Sequence, residues 1–521
     1  KYQTYWQSVS NPKYSWILGG IAVLILIIAC VNYISLALAG STTRRKEVGV
    51  RKVTGAQKWQ LAWQFGMESL VLTVVSVSLS ILLVVLLRTS FNELTGRDIN
   101  IQLAELSGIA AVMAMLVALL AGSYPAFYLS SLKPALVLKG IATARLQSNF
   151  TKGLVALQFA LSSFLIVSAV VMNRQMDFIT NKDLGFDKEQ VIVIPTQLGR
   201  SDESNRFIER FRTELQKIAG VIEVSGTSSS FGGGTWRNDI KRGDQVIPAY
   251  IYAVDDKYIS TLGLELVAGR NFDPALASDS SGIIVNEAMV RAMGWDKPID
   301  EQLKWRGNAV DRVIGVVKDY HFMSLEHAIG PVIMSINKQK VGYLPTMFVK
   351  VEAGMVSSSV AQIASTWKSI APDKPFNYSF LDDDVSRQYG DHKLWTNLMT
   401  IATAIGIVIA CMGLFGLSGM NAVSRTKEIG IRKALGAELV NIVVMMNKPY
   451  LWLAGIAFMI AVPLAAYAMD RWLSIFEFRI SIDAMLLVVT MVASLATALL
   501  SVSYHAVKAG MMEPGKVLKS E

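Results

Sequence analysis

The chain has 521 residues, of which 52% are hydrophobic and only 17% are charged. This apolar fraction exceeds that of ordinary soluble proteins, so the composition predicts a membrane protein. The formal net charge is +9, and basic side chains beside anionic lipid headgroups account for it without a nucleic-acid partner. The two cysteines, Cys30 and Cys411, both lie in apolar segments, which argues against a structural disulfide or a metal site.

Seven stretches contain no charged side chain when His505 is counted as neutral. They cover residues 14–43, 69–87, 106–132, 153–173, 394–424, 449–469 and 484–507. Each can supply the roughly 20 apolar residues that a helix needs to cross a bilayer. Helices are expected because hydrocarbon offers backbone polar groups no hydrogen-bond partner. The sequence therefore predicts a polytopic α-helical membrane protein with seven spans.

Lysine and arginine residues near the ends of these spans indicate the orientation. They are concentrated in four places, at 44–58, 133–152, 425–448 and 508–519. When the spans are counted in order, all four places fall on the same side, which is predicted to be the cytoplasm. The long polar stretch from Arg174 to Lys393 falls on the opposite side.

A short basic segment occurs twice. Residues 44–56 read RRKEVGVRKVTGA and residues 425–437 read RTKEIGIRKALGA, with eight of the thirteen positions identical. The two copies are separated by a constant offset of 381 positions, which also relates Ile28–Cys30 to Ile409–Cys411. The repeat therefore includes the helix that precedes each basic segment.

The similarity continues downstream of the basic segments. Residues 123–126 align with 503–506, and Lys133–Lys139 aligns with Glu513–Lys519. The repeating unit is thus three helices, at about 16–140 and about 394–521. Two copies in the same orientation imply a pseudo-twofold axis along the membrane normal.

Each basic segment is predicted to form a short helix at the cytoplasmic surface. Charged residues alternate there with the apolar pairs Val48 and Val50 or Ile429 and Ile431. A glycine at 55 and at 436 then permits a turn, because glycine accepts a positive φ. A basic interfacial anchor is the alternative to a docking element. The recurrence of a glutamate and two glycines in both copies favours docking.

The stretch between Arg174 and Lys393 has the pattern of a mixed α/β domain with two small subdomains. Apolar runs and alternations predict strands, and apolar residues at helical spacing predict helices. Strands are predicted at 190–195, 311–320 and 346–353, a strand followed by a helix at 282–295, and helices at 202–218 and 356–370.

Three glycines at three-residue spacing, Gly413, Gly416 and Gly419, lie within the predicted span 394–424. Small residues allow membrane helices to approach one another closely. These glycines are predicted to pack against the equivalent helix of the first repeat. General helix flexibility from glycine is the alternative.

No convincing catalytic set appears in the sequence. The glycine-rich stretch 232–236 lacks the Gly-Lys-Ser/Thr ending of a phosphate-binding loop, and no such loop occurs elsewhere in the sequence. The chain is therefore predicted to be non-catalytic and to need no cofactor of its own. The acidic run Asp382–Asp384 is predicted to be solvated surface with a helix N-cap.

The pattern Lys-Glu-Ile-Gly-Ile-Arg-Lys-Ala-x-Gly-Ala at 427–437, between two membrane helices, resembles the FtsX-like permease domain of MacB-type ABC transporters. VDDKYISTLGLELVAGRNF at 254–272 and VIGVVKDYHFMSLEHAIGP at 313–331 are similar to the periplasmic core domain of that family. The resemblance implies that the basic segments are coupling helices that rest on an ATPase subunit. The coupling residues it implies are Arg44, Lys46, Glu47, Gly49, Arg51, Lys52, Gly55, Arg425, Lys427, Glu428, Gly430, Arg432, Lys433 and Gly436.

The resemblance also implies a domain order. It is the end of a preceding periplasmic segment at 1–15, a first FtsX-like permease domain at 16–140, a cytoplasmic linker at 141–152, a transmembrane helix at 153–175, a MacB-like α/β periplasmic core domain at 176–392 and a second FtsX-like domain at 393–521. A complete first repeat would need a further helix and periplasmic domain of about 240 residues upstream, judged from Gly153 to Leu394. An eight-helix pseudodimer is therefore expected. The alternative is a natural seven-helix protein with asymmetric halves.

The function implied by the resemblance is that of a permease subunit in the inner membrane of a Gram-negative bacterium, with its large domain in the periplasm. A separate ABC ATPase dimer would bind ATP, and a periplasmic adaptor and an outer-membrane exit duct are possible further partners. The system would expel a hydrophobic or peptide-like substrate. The alternatives are an FtsX-like mechanical regulator of a periplasmic cell-wall hydrolase and a lipoprotein-releasing permease.

Overall fold

The computed structural model describes residues 12–95, 102–131, 144–197, 202–231, 236–306, 309–337 and 343–512. The chain forms two compact units. The membrane unit comprises the described residues within 1–176, 392–473 and 480–521, and the core unit comprises those within 177–391 and 474–479.

The helices are α1 (Pro12–Val53), α2 (Lys58–Thr95), α3 (Leu103–Ser131), α4 (Ala144–Asn181), α5 (Asp202–Leu215), α6 (Tyr258–Thr261), α7 (Glu287–Met293), α8 (Val356–Ile370), α9 (Leu381–Arg387), α10 (Gly390–Ser424), α11 (Thr426–Ala434), α12 (Leu439–Leu473) and α13 (Ala484–Gly510). The strands are β1 (Val191–Pro195), β2 (Val221–Thr227), β3 (Trp236–Arg242), β4 (Gln245–Ala253), β5 (Leu266–Gly269), β6 (Gly282–Asn286), β7 (Gln302–Arg306), β8 (Ala309–Val317), β9 (Val332–Ser335), β10 (Thr346–Val351) and β11 (Ser379–Phe380).

Six helices of the described chain are long and apolar enough to cross a membrane: α1, α2, α4, α10, α12 and α13. The sequence predicted seven. The remaining predicted span corresponds to α3 (29 residues), of which only Ala104–Leu119 lies among the residues whose side chains are described. The polytopic α-helical class is confirmed, although the count of seven is not reached among the described residues.

The core unit contains two sheets. One has four strands in the order β11-β1-β10-β2, with every neighbouring pair antiparallel. The other has seven strands in the order β3-β4-β9-β6-β8-β5, with β7 added beside β8. In the second sheet the pairs β4–β9 and β6–β8 are parallel. This mixed topology confirms the α/β fold. The two predicted subdomains stay a prediction, because both sheets lie in one compact unit.

One buried apolar cluster includes residues from both sheets. Helices α5 and α8 contribute Phe211 and Trp367 to it, and these two rings meet edge to face at a centroid distance of 5.4 Å. Such pairs favour edge-on geometry because the ring face is negative and the ring edge positive. The helical spacing of Phe207, Phe211 and Leu215 along α5 therefore directs one face of the helix into the core.

Every strand and helix predicted for this region from apolar patterning is present, and α8 has the predicted bounds. The predicted N-cap role of the acidic run 382–384 is wrong. The N-cap residue of α9 is Phe380, and the three aspartates occupy the first turn. Asp384 accepts hydrogen bonds from Ser379 and Arg387, whereas Asp382 and Asp383 are exposed, as predicted for solvated surface.

A short segment between α12 and α13 belongs to the core unit rather than the membrane unit. The backbone nitrogen of Phe478 donates to the carbonyl of Leu325 at 3.3 Å. Its ring lies 4.6 Å from the His321 ring, edge to face, and the Lys182 ammonium lies 5.3 Å from the ring centroid. The chain therefore enters the core unit a second time, at 474–479, and is held there by an aromatic side chain.

We expect the environment of His321 to make the stability of the core unit depend on pH. Burial, assisted by the charge of Lys182 and opposed by Asp183 and Asp319, lowers the pKa of His321 from 6.5 to about 4. The unfolded chain therefore binds this proton more readily, and stability should fall as the pH drops from 6.5 towards about 4. The loss should be on the order of 1 kcal/mol, because the ring is only half-buried.

Thermal unfolding of the full chain in detergent between pH 4 and pH 7 would measure this effect. His321→Phe keeps an aromatic ring against Phe478 but removes the titrating group, so it should flatten the profile in that window. An unchanged profile in the variant would show that other groups cause the acid sensitivity.

Candidate functional site

The two basic segments project beyond the apolar parts of their helices. Helix α1 has 42 residues and continues to Val53, ten residues beyond the end of its charge-free stretch at Thr43. A helix of that length extends roughly 60 Å, about twice the thickness of the hydrocarbon core. The first basic segment (residues 44–56) is therefore carried on a rigid extension of a membrane helix.

The two segments differ in how they join that preceding helix. The second basic segment (residues 425–437) forms the separate helix α11, because Arg425 leaves the helical conformation with φ −104° and ψ 11°. The first segment was also predicted to be a separate short helix, but α1 continues without a break to Val53. That prediction is wrong for the first copy because its backbone keeps helical hydrogen bonding through Arg44.

The two apolar positions of each segment have different environments. Val48 and Ile429, which are repeat equivalents, are only 1% and 3% exposed. Ile429 packs in a cluster with residues of α12 and α13. The second pair, Val50 and Ile431, is 56% and 52% exposed. Each segment therefore holds itself in place with one apolar side chain and presents the other outward.

The glutamate of each segment forms the same ion pair. Glu47 lies 2.8 Å from Arg51, and Glu428 lies 2.9 Å from Arg432, in both cases four residues apart on one helix. All four side chains are roughly half-exposed. Such pairs stabilise a helix by only about 0.3–0.5 kcal/mol. The pair therefore orders two charges at the surface and contributes little to folding.

The same arginine also reaches the following helix in both copies. Arg51 donates to the side-chain oxygen of Gln64 on α2 at 2.6 Å. Arg432 donates to the sulfur of Met445 on α12, which is the repeat equivalent of Gln64. The arginine thus links each segment to the next helix, although the acceptor differs in chemistry.

Glycine ends both segments in the predicted way. Gly55 has φ +102° and Gly436 has φ +92°, in the left-handed region that other residues rarely adopt. In each copy the alanine that follows donates its N–H to the carbonyl of the arginine five residues earlier, at 2.9 Å in the first and 3.0 Å in the second. The turn is thus identical in the two copies and directs the chain into α2 or α12.

The remaining predicted coupling residues are distributed around these pairs. Arg44, Lys46 and Gly49 belong to α1, but their burial and side-chain contacts are outside what the structure describes. Arg425 and Lys427 are exposed, and Gly430 is buried. Lys433 donates to the carbonyl of Met512 at 3.0 Å. Lys52 is partly buried, and its pKa is lowered by burial and by the neighbouring charge of Lys58.

The glycine triplet of α10 faces three different side chains. A Cβ atom at 413 would collide with Asn32, and one at 416 would lie 2.5 Å from Cδ2 of Leu36. Both of these neighbours are on α1. At 419 the added atom would lie 3.1 Å from the imidazole of His505 on α13. Two of the glycines therefore face the first repeat, and the third faces its own repeat.

Sequence reasoning did not single out the two amides that lie beside Gly413. Asn32 donates to the carbonyl of Ile409 at 3.2 Å, and Gln158 of α4 donates to the carbonyl of Ala410 at 2.9 Å. An amide side chain inside an apolar span is itself a signal of an interhelical hydrogen bond. That signal was available in the sequence, but the partner carbonyls were not.

Both segments carry exposed charged and apolar side chains side by side. Within the ranges that the structure describes, no group of three or more His, Cys, Asp or Glu side chains is placed to hold a metal ion. The glycine-rich stretch 232–235, the segment Lys133–Lys139 and the tail from Glu513 lie outside the described residues. What the two segments share is an exposed apolar side chain beside an ordered ion pair.

Two family models match the chain. The FtsX-like permease C-terminal family matches residues 19–134 and again 400–514. The MacB-like periplasmic core domain family matches residues 159–365. Both basic segments lie inside the two FtsX-like matches, and most of the core unit lies inside the third match.

Curated relatives show the same similarity at moderate identity. The macrolide export ATP-binding/permease protein MacB of Aggregatibacter actinomycetemcomitans is 29% identical over 260 residues, which is 47% of this chain and 39% of the relative. The uncharacterized ABC transporter permease YknZ of Bacillus subtilis is 28% identical over 241 residues, 44% of this chain and 58% of the relative. The matches thus span well under two thirds of these relatives.

Solved structures show a likeness to part of the chain. The periplasmic region of MacB from Actinobacillus actinomycetemcomitans aligns with 39% of this chain and 94% of that chain, at 15% identity and a TM-score of 0.30. The extracellular domain of YknZ aligns with 36% of this chain and 98% of that chain, at 15% identity and a TM-score of 0.28.

We expect Gly436→Ala to destabilise the membrane unit by roughly 1 kcal/mol, because a Cβ atom is strained at positive φ. Nothing lies within 4 Å of the added atom, so the cost is backbone strain alone. Gly55→Ala should behave alike. Gly455→Ala, inside α12 and equally free of neighbours, is the matched control and should be neutral or stabilising.

The measurement is the thermal unfolding midpoint of the three variants in detergent. Equal midpoints for Gly436→Ala and Gly455→Ala would show that the turn conformation is not needed at the end of the segment.

Proposed function

We propose that this chain, which belongs to the FtsX-like, MacB-type permeases of ABC transporters, transmits the motion of an ATPase dimer to its core domain. The observation that carries the proposal is the duplication of one surface. Each basic segment presents an exposed apolar residue, an ordered Glu–Arg pair and a glycine-ended turn. A lipid anchor would need only the basic and apolar residues.

The two copies suit a partner that offers two equivalent docking sites. An ATPase dimer has this symmetry, and a single chain with two repeats would fill both sites. The MacB relatives are named as ATP-binding/permease proteins, so ATP binding and permease activity are joined in them. None of the 521 residues here forms a phosphate-binding loop motif, and we assign ATP binding to a separate subunit.

Continuous helices support the transmission of motion. Helix α4 runs from Ala144 to Asn181, and the boundary between the membrane and core units falls within it at 176–177. Helix α10 begins at Gly390, and the boundary falls at 391–392. An α-helix is stiff along its axis because each turn is hydrogen-bonded to the next. Motion of the membrane unit would therefore reach the core domain through backbone.

The proposed transport does not require a polar route between the helices. In the described parts of the six spans, no Asp, Glu, Lys or Arg side chain is buried. A path for ions or polar solutes usually contains such groups. We therefore propose that the core domain, in the periplasm of a Gram-negative cell, drives efflux of a hydrophobic or peptide-like substrate. An adaptor and an outer-membrane exit duct would complete the path.

Charge reversal of the segment acids tests the docking role. Glu428→Lys should lower stimulation of the ATPase by the permease while membrane insertion stays intact. A close interfacial charge pair worth about 1.5 kcal/mol corresponds to roughly a tenfold loss of affinity. Glu47→Lys should act alike at the other site, and the double reversal should be worse than either. ATPase activity and co-purification of the reconstituted complex are the measurements.

A charge swap separates docking from the stability of the helix. Glu428→Arg combined with Arg432→Glu restores an i,i+4 ion pair within α11. The reversed orientation supports the helix less and the Arg432–Met445 link is lost, so the folded yield of the swapped protein is compared with that of Glu428→Lys. If the acid contacts the ATPase, the swapped protein should remain uncoupled. Full recovery of stimulation would assign the acid to helix stability and leave the segment as a membrane anchor.

Cysteine labelling tests the proposed orientation. In a chain with Cys30→Ser and Cys411→Ser, the exposed hairpin position Asp244→Cys should react with an impermeant reagent applied to spheroplasts. The exposed position Glu438→Cys, beside the second segment, should react only after the membrane is opened. Labelling of Glu438→Cys in sealed spheroplasts would contradict the proposed orientation and place the second segment outside the cytoplasm.

A further inference from the structure

Two repeat-equivalent residues meet each other in the membrane unit. Asn32 of α1 and Gly413 of α10 are separated by the 381 positions that relate the two repeats. The Asn32 side chain occupies the space in which a Cβ atom of residue 413 would lie. In an assembly with twofold symmetry, a residue touches its own equivalent only on the axis. The contact therefore marks the pseudo-twofold axis.

The two helices continue in register on both sides of this contact. A Cβ atom at Gly406 would lie 3.8 Å from Cδ1 of Ile28, and one at Gly40 would lie 3.3 Å from Cε of Met420. The residue number on α10 rises with that on α1, so the helices run parallel. The crossing thus extends along both spans, as expected for repeats with the same orientation.

Hydrogen bonds from two helices converge on α10 beside Gly413. Asn32 donates to the carbonyl of Ile409, and Gln158 donates to the next carbonyl, that of Ala410. In a helix, the side chain four residues later lies beside a carbonyl on the same face. Glycine at 413 leaves the carbonyl of Ile409 uncovered, so the amide of Asn32 can reach it.

We infer that Asn32 is a positioning residue that fastens the two halves of the permease at their pseudo-twofold axis, with Gly413 as its complementary space. Interhelical amide hydrogen bonds matter in a membrane because lipid offers the amide no partner. The pair works only when the two positions differ. Two asparagines would compete for one space, and two glycines would leave the carbonyl of Ile409 without the donor.

The position of this contact gives it a role in coupling, and this step rests on the function proposed above. Helix α1 continues unbroken into the first basic segment, and α10 leads into the second through Arg425. A displacement of either basic segment therefore acts on a helix that is fastened to the helix leading into the other segment. Asn32 would keep the two segments moving together.

The test exchanges the two residues in the full chain. Asn32→Gly should lower the folded fraction or assembly equilibrium about threefold, the size expected for one interhelical hydrogen bond. Gly413→Asn alone should be more damaging, because Asn32 already fills the space. Adding Asn32→Gly to Gly413→Asn should restore much of the loss, because repeat symmetry directs the new amide towards the carbonyl of Ile28.

Gln158 also lies beside residue 413. The unchanged chain, the two single variants and the double variant should therefore also be compared in a Gln158→Ala background. Two readouts are needed: the thermal unfolding midpoint, and the cross-linking of Leu36→Cys to Gly416→Cys in a chain with Cys30→Ser and Cys411→Ser. Restoration of both by the exchange would support the inference. If Gly413→Asn is equally damaging with and without Asn32→Gly in both backgrounds, the inference is wrong.

Stimulation of the ATPase separates this inference from the proposed function. If the wild-type chain does not stimulate the ATPase, the proposed function fails while the folding and cross-linking results still decide the fastening role. If the wild-type chain stimulates it and Asn32→Gly preserves stimulation at full folded yield, the coupling role of Asn32 is overturned.

Discussion

Hydrocarbon gives apolar helices no hydrophobic reason to prefer one another over lipid, so association depends on close packing and on polar side chains without other partners. The membrane unit meets this constraint mainly along α10. Gly413 and Gly416 admit side chains of α1, and Gly406 admits Leu165 of α4. Thr403 adds a hydrogen bond to the carbonyl of Leu165 at 3.3 Å. One helix therefore joins the first repeat, the second repeat and the helix that enters the core unit.

The basic segments also depend on a few contacts with neighbouring helices. A nine-residue helix such as α11 is too short to be stable alone in water, so packing against neighbouring helices must stabilise it. Ile429 supplies this by packing against α12 and α13, and Arg432 adds a link to Met445. Because these contacts use one face, Ile431 and Glu428 remain outward. Packing against the neighbouring helices and exposure at the surface thus fall to different residues of one short sequence.

Local patterns made much of this structure predictable. Apolar alternation located β1, β8 and β10, and the 381-residue offset located two surfaces with the same ion pair and the same left-handed glycine. Features that depend on distant partners were not predictable from one sequence. The break at Arg425 is absent at Arg44 although both are arginines, so the residue type at this position does not decide it. Phe478 likewise gave no signal in the sequence, because its partners His321 and Lys182 lie far away along the chain.

Joining two repeats in one chain changes what is possible on the axis between them. In a dimer of identical subunits, the axial position carries the same residue twice, so a space and the side chain that fills it cannot both be encoded there. Fusion removes this restriction, and the pair Asn32 and Gly413 uses the freedom. The outward residues, in contrast, remain alike in both halves. The axial pair Asn32 and Gly413 thus differs between the halves, whereas the ion pair and the left-handed glycine of the two segments are retained.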